Sequence, residues 1–406
     1  VKQIISNVVR NNLCVGCGAC TSMFPERAAK MQLASDGFLR PVQLRELSDQ
    51  EAKQFNAVCP GVTVQHKTRG PEFHTLWGPI VKLQTGFATD EEVRFKGSSG
   101  GVLSALAIYL LESGKVNGVL HIAPDDQEPF TNRSQISQSR SDVLNGAGSR
   151  YAPASPLDRV RECLNTEGVF AFIGKPCDVA ALRAMSHQFP AVTQKFPYML
   201  SFMCAGTPSL QGTHEVVKHL GFEPDQVVKF RYRGNGWPGM ARAETADGRF
   251  SEMDYDSSWG QILNRHLQFR CKICPDGTGE FADVSCADAW HSDEKGYPVF
   301  TETSGRSLIV ARTKTGQQLV DALQSQKRLD ADSIAVAEVS LIQPYQKNRK
   351  QALLSRMIGF RMGGQKVSKY SNFDLLRASA GLSLRSHLKN AVGSWLRATG
   401  LKKSSS

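Results

Sequence analysis

Three cysteines fall within seven residues, Cys14, Cys17 and Cys20 in the run Leu13-Cys14-Val15-Gly16-Cys17-Gly18-Ala19-Cys20, and Cys59-Pro60 follows downstream. A fold that brings these four thiols to one point must wrap the first loop tightly and return the intervening chain to it. Cys-x2-Cys-x2-Cys closed by a distant Cys-Pro is a ligand pattern for a [4Fe-4S] cubane. Phe24 stands where a fourth local cysteine would serve another cluster, although Pro25 is kept, so the run reads as one site completed by Cys59. Zinc more often takes paired Cys-x2-Cys knuckles. Gly16 and Gly18 agree with iron and sulfide, because backbone without Cβ can lie close to a cluster and aim its amides at sulfur.

The run looks like half of a two-cluster ferredoxin, and 66–71 reads as the exit linker of such a module. The remainder of the 406 residues can bury a substantial core. Ten cysteines and no leader pattern before Leu13 lead us to expect a reducing, cytoplasmic setting without structural disulfides. The longest apolar stretch, 101–111, is too short to span a bilayer. After residue 344 thirteen lysines and arginines face one acid, Asp374, a net +12 against +11 for the whole chain. The body is close to neutral and the tail reads as a basic appendage.

Strand-like runs at 81–88, 116–123, 169–173, 198–203 and 308–312 alternate with helical ones at 101–113, 176–186, 209–220 and 315–324. Such alternation predicts an α/β body. Residues 133–155 read as a polar loop able to close over a ligand. Residues 227–250 read as antiparallel strands with a turn at Gly234-Asn235-Gly236.

Cys177, Cys204, Cys271 and Cys274 fall at the ends of these elements, and strand ends of an α/β body converge on one edge. Spacing alone leaves a second cluster, zinc and unmetallated core thiols all open. Lys96-Gly97-Ser98-Ser99-Gly100-Gly101 precedes an apolar helix and is either a phosphate cradle or an ordinary flexible N-cap.

Taken in order, Gly97-Ser98-Ser99-Gly100-Gly101-Val102, Gly148-Ser149-Arg150-Tyr151, Gly174-Lys175-Pro176-Cys177, Phe202-Met203-Cys204, Cys271-Lys272-Ile273-Cys274 and Ala282-Asp283-Val284 resemble the recurrent stretches of the coenzyme F420 hydrogenase/dehydrogenase beta-subunit family over roughly residues 10–330. The resemblance implies an FAD-binding body with its own [4Fe-4S] cluster on Cys177, Cys204, Cys271 and Cys274. It also implies that Ser98, Ser99, Gly100, Gly101, Ser149, Arg150, Tyr151 and Lys175 face the flavin. Two-cluster members of that family include chlorophyll-pathway reductases, and this chain is similar to that type. Cys286 stands where similar sequences usually place glycine and Cys163 sits on a probable helix with no partner motif, so both read as bystanders, and Pro298-Val299-Phe300 is atypical.

The expected architecture is mixed α/β. Residues 1–75 form a ferredoxin-like [4Fe-4S] module, 76–155 and 156–344 the two parts of the FAD-binding body, and 345–406 a basic, partly amphipathic helical tail. Electrons from a ferredoxin-like donor would pass through two [4Fe-4S] clusters to FAD and an organic substrate such as a deazaflavin, a tetrapyrrole or a sugar-related compound. Asp283, Asp288 and His291 are the candidate proton donors, and Lys175 reads as an anion clamp. The competing readings are a non-catalytic electron-transfer subunit and a thiol–zinc protein. Leu384, Leu388, Val392 and Trp395 recur at helical spacing beside Arg385, Lys389 and Arg397. That helix either covers the body or docks on an anionic membrane or an acidic donor. No nucleic-acid motif accompanies the charge.

Overall fold

The computed structural model describes residues 3–294 and 298–401, so Lys402 and Lys403 of the basic tail lie outside it. Its centre is an eight-stranded sheet of Lys82–Ala88 (β1), Gly118–Pro124 (β2), Asn132–Ser137 (β3), Phe170–Gly174 (β4), Tyr198–Phe202 (β5), Val284–Asp288 (β6), Ser307–Ala311 (β7) and Leu329–Ser333 (β8). The spatial order is β8-β1-β7-β6-β5-β4-β2-β3. The four strands β6, β5, β4 and β2 run parallel, and antiparallel strands complete both flanks. Parallel neighbours need crossover helices, and the alternating runs of the sequence supply them. The apolar helix Val102–Glu112 is buried along most of its length, which explains a hydrophobic stretch too short for a membrane. Among the described residues no helix is long and apolar enough to cross one.

Two segments differ from the expectation. The stretch 133–155, expected as a loop, contains most of β3 and a helix at Arg140–Asn145 closed by a Ser139–Asp142 capping box. Its polar composition suits an edge strand with one face in water. Strand β8 lies beyond the last expected strand and helix, and its Leu329-Asp330-Ala331-Asp332 alternation belongs to the opposite edge. Strands Val227–Arg231, Ala241–Thr245 and Phe250–Met253 form a separate antiparallel sheet.

The N-terminal strands Ala29–Leu33 and Leu39–Gln43 pair as a hairpin. Helix Asp49–Val58, closed at its start by a Ser48–Glu51 capping box, delivers Cys59 at its end. Helices Pro176–Gln188 (α1), Pro344–Met362 (α2) and Leu384–Ala398 (α3) carry Cys177, Arg349 and the amphipathic stretch of the tail, respectively. After residue 344 the chain returns to the N-terminal region, where Lys369–Ser371 pairs in parallel with Thr63–Gln65 and the Ser368 hydroxyl donates to Gly61 O at 2.7 Å. The basic tail is therefore partly interior. Lys350 is buried 2.6 Å from the buried carboxylate of Glu280, and Arg349 is buried beside it.

Candidate functional site

Cys14, Cys17, Cys20 and Cys59 line one apolar cavity with Ile5, Val8, Met23, Phe55 and Val58. The loop reaches this shape through Gly16 and Gly18, whose φ angles of +76° and +83° disfavour side chains. The Gly16 N–H donates to Cys14 Sγ at 3.4 Å. The body grips the loop from outside: Ser155 Oγ donates to Gly16 O at 2.7 Å and Leu157 N–H to Cys17 O at 3.0 Å. A Cβ on Gly18 would stand 2.9 Å from Asp158 N. Burial pushes Cys59 up to about 12, with Cys14 adding to the rise. Cys17 and Cys20 are pushed well up by burial and neighbouring anions. Thiols held neutral in this way surrender their protons to a metal.

Cys177 and Cys204 follow the C-terminal ends of the adjacent parallel strands β4 and β5. That edge is where open α/β sheets bind ligands. Cys271 sits on the short helix Phe269–Lys272 and Cys274 just beyond it. The Thr207 N–H donates to Cys271 Sγ at 3.4 Å, and Cys204 N–H donates to Gly277 O at 2.8 Å. Burial drives Cys204 to about 12, with Cys271 and Cys274 raising it further and Arg349 opposing them. Cys177 is pushed well up by burial and Asp178, and it feels Cys274 and Cys204 as well. The four thiols predicted as one set are thus electrostatic neighbours. Among the described residues no three Cys, His, Asp or Glu side chains gather as ligands of a single ion. A cubane instead takes one thiolate at each of four irons, so its ligands stand apart.

Sequence reasoning missed the two cations of this region. Arg349 Nη1 donates to Cys204 O at 3.0 Å and Ala205 O at 3.1 Å, and Nη2 donates to Cys271 O. Arg270 is 1% exposed; its Nη2 and Nε donate to Pro60 O at 2.8 and 3.2 Å, and its Nη1 has no partner among the described residues. Pro60 follows Cys59 and Arg270 precedes Cys271, so one guanidinium ties the backbone of the first thiol group to that of the second. A buried cation without a carboxylate is costly unless another anion answers it. A thiolate-ligated iron–sulfur centre fits that need at both places. The adjacency of Arg270 to Cys271 was the available signal; Arg349, far downstream, gave none.

Lys175, expected at the flavin, sits between the thiol groups. Its Nζ lies 2.8 Å from both oxygens of buried Asp178. Burial works to lower this ammonium, but Asp178 and the thiols of Cys177 and Cys17 hold it above the usual lysine range.

The structure does bring Ser98 and Ser149 together, hydroxyl to hydroxyl at 2.6 Å. Ser99 and Gly100 are consumed internally. The Ser99 hydroxyl donates to Arg306 O at 2.9 Å, Gly100 N–H donates to Ser307 Oγ at 2.9 Å, and a Cβ on Gly100 would press on Gly86 O and Ser307 N. Gly101, φ +71°, is the N-cap of the following helix. Arg150 is different: its Nε donates to Asn132 Oδ1 at 2.5 Å, while its buried Nη2 has no partner among the described residues. An orphaned guanidinium nitrogen there fits an anionic group such as a flavin phosphate. The Tyr151 hydroxyl lies 3.3 Å from Arg233 Nη1.

Asp283 accepts from Met199 N–H at 2.8 Å and Thr313 Oγ1 at 2.9 Å and pairs with Arg183 at 3.2 Å. Asp288 accepts from Arg233 at 2.9 and 3.1 Å and from Trp237 Nε1 at 2.7 Å. Both carboxylates are engaged in holding the fold. His291 is exposed, at the edge of Trp237. Cys163 and Cys286 are buried, Cys286 within β6, and burial pushes both to about 12. Val299 N–H donates to His291 O at 2.8 Å, and Phe300 packs edge-on against Trp290.

Residues 83–161 match the family model of the coenzyme F420 hydrogenase/dehydrogenase beta-subunit N-terminal region, and residues 168–336 match that of its C terminus. The chain belongs to this family. It is 24% identical over 353 residues to a coenzyme F420-dependent sulfite reductase of Methanocaldococcus jannaschii, covering 81% of this chain and 49% of the relative. The chain therefore spans about half the length of that enzyme. It is 25% identical over 291 residues to a coenzyme F420 hydrogenase subunit beta of Methanococcus voltae, covering 67% of this chain and 94% of that subunit. Among solved structures, a chain of the F420-reducing [NiFe] hydrogenase complex from Methanosarcina barkeri matches with a TM-score of 0.55 and 19% identity, over 74% of this chain and 98% of that one. That likeness establishes the shared fold. Both of these relatives are named as oxidoreductases or subunits of them.

Proposed function

We propose that the chain is an iron–sulfur flavoprotein oxidoreductase subunit, moving electrons between a ferredoxin-like donor and an organic substrate of the deazaflavin class within a larger complex. The observation that carries this reading is the pair of four-thiol groups joined by Arg270. Cys14, Cys17, Cys20 and Cys59 would hold one [4Fe-4S] cluster and Cys177, Cys204, Cys271 and Cys274 the other. Ser98, Ser149, Arg150 and Tyr151 would meet FAD, with Arg150 taking its phosphate. Bound clusters and flavin would supply one-electron storage and exchange between one- and two-electron chemistry.

The chain's own residues supply the rest. The apolar lining around Cys14 to Cys59 excludes water from the first site. Arg270 and Arg349 balance charge at the second. Gln343 and Gln346, about one turn apart at the start of α2, donate to Asp288 O at 2.7 Å and Cys204 O at 3.2 Å, tying the thiol group to the Arg233–Asp288 pair. Trp237 and Trp290, stacked at 4.9 Å, wall that pair on one side. With Asp283 and Asp288 engaged, the exposed His291 would be the proton donor of the three.

On this reading residues 1–75 carry the first cluster and 76–155 with 156–344 the flavin and second cluster. Residues 345–401 bring Arg349 to the second site and the strand Lys369–Ser371 beside the first, and the setting is cytoplasmic. A groove of about 510 Å³ beside the first site is lined by Leu13, Gly61, Arg361, Lys366 and Lys369 with no acidic side chain, and suits an acidic electron donor. The deazaflavin class rests on relatives named for coenzyme F420. The test is iron, acid-labile sulfide and released flavin per chain after anaerobic purification. About eight iron with one FAD supports the proposal; about four iron without flavin overturns it in favour of a plain electron relay.

A further inference from the structure

Helix α3 is packed the opposite way round from an ordinary amphipathic helix. The face turned to α2 is small and polar. Ser394 is fully buried, and a Cβ on Gly359 or Gly363 would collide with Ala391 O or Ala398 Cβ. His387 bonds Ser355 Oγ at 2.5 Å and Ser379 O at 3.0 Å, and Asn390 Oδ1 accepts from Arg356 Nε at 3.1 Å. These contacts fix the rotation of α3 about its axis. The adjoining flank, turned to solvent, carries Leu384, Leu388, Val392 and Trp395, which are 75%, 59%, 51% and 36% exposed. Their spacing of four, four and three residues makes one stripe roughly 16 Å long. Apolar residues at that spacing normally turn inward. Here close approach of small residues outranks them.

The charge around the stripe has one sign. Arg385 and Lys389 are exposed beside it, and no Asp or Glu occurs anywhere from 375 to 401. An apolar stripe with a tryptophan, edged by cations and free of acids, is the composition of a helix lying in the headgroup region of a bilayer. We propose that α3 docks this protein peripherally on an anionic lipid surface. A protein partner would meet the same leucines, but nothing about a protein surface calls for a stretch wholly without acids. The inference stands apart from the clusters and flavin, so either can fail alone.

The test uses the full chain and sedimentation with vesicles of phosphatidylcholine containing phosphatidylglycerol, against pure phosphatidylcholine. The wild type is expected to sediment with the anionic vesicles only, and less as salt rises. Leu388→Glu with Val392→Glu, both at solvent-facing positions, should cut binding by roughly tenfold or more with an unchanged circular dichroism spectrum. Arg385→Glu with Lys389→Glu should weaken binding and flatten its salt dependence. Failure of the wild type to bind anionic vesicles, or equal binding by the Leu388→Glu/Val392→Glu variant, overturns the proposal. So does a wild-type dimer that this variant dissociates while vesicle binding persists, which would assign the stripe to a second copy.

Discussion

The two thiol groups reach similar ends by different physics. The first is built from backbone: three of its cysteines share one short loop, two left-handed glycines bend that loop, and aliphatic side chains seal it. The second is built by topology: adjacent strand ends, a short helix and a guanidinium from α2 meet at one edge of the sheet. A site made of local backbone is fixed by a few neighbouring residues. A site made of tertiary contacts depends on every element that reaches it.

The sharpest break in this comparison is removal of one ligand from each group. Cys59→Ala and Cys204→Ala should each lower iron by about four per chain, and by different clusters. Electron paramagnetic resonance of the reduced variants should then show one remaining signal each, with distinct line shapes. Loss of all iron in both variants would make the groups a single site.

Dependence on distant elements gives the next effect. Lys350 pins α2 through Glu280, which also pairs with His66 at 2.9 Å. Burial alone would raise the Glu280 carboxyl, but Lys350 and His66 pull it down to about 2. That contribution to stability is complete above the ordinary glutamate range and is lost as pH falls from about 4.5 toward 2. Lys350→Met should cost about 3–5 kcal/mol in denaturant unfolding, because it leaves a buried carboxylate without its ammonium. Adding Glu280→Gln should recover much of the loss. The single variant should also release iron from the second site before the first.

This contrast explains what the sequence reveals. The first thiol run is legible because its cysteines are neighbours in sequence, and their spacing brings them to one cavity with Cys59. The strands around Phe170–Gly174 and Tyr198–Phe202 are legible because buried parallel strands are short apolar runs between helices. Strand β8 and the strand at 132–137 are not, since edge strands are half polar and read like loops. Arg349 and Lys350 look like surface charge until α2 is seen to carry them inside. The stripe of α3 is read correctly as amphipathic, but its direction depends on Gly359 and Gly363 of another helix.

A smaller effect tests the backbone side of the comparison. Gly18→Ala forces a side chain into φ +83° and toward Asp158 N, and should cost about 1–3 kcal/mol. The damage should appear as faster iron loss from the first site under mild denaturant, with the second unaffected. Equal loosening of both sites would mean that the first is not locally determined.

The finest test separates the two arginines. Arg349 touches only the second group, whereas Arg270 reaches Pro60 of the first and lies directly before Cys271 of the second. Removing a buried cation disfavours the more negative, reduced state of a nearby cluster, so its potential should fall. Arg349→Gln is expected to shift one midpoint, and Arg270→Gln both, by at least about 59 mV, a tenfold change for a one-electron couple. Glutamine keeps a donor toward the same carbonyls, so the shift reports charge in preference to a lost hydrogen bond. If Arg270→Gln moves a single midpoint, the guanidinium serves one site and only braces the other. If it moves both together, the backbone-built and topology-built groups share one electrostatic centre, and electron exchange between them depends on a residue that ligates neither.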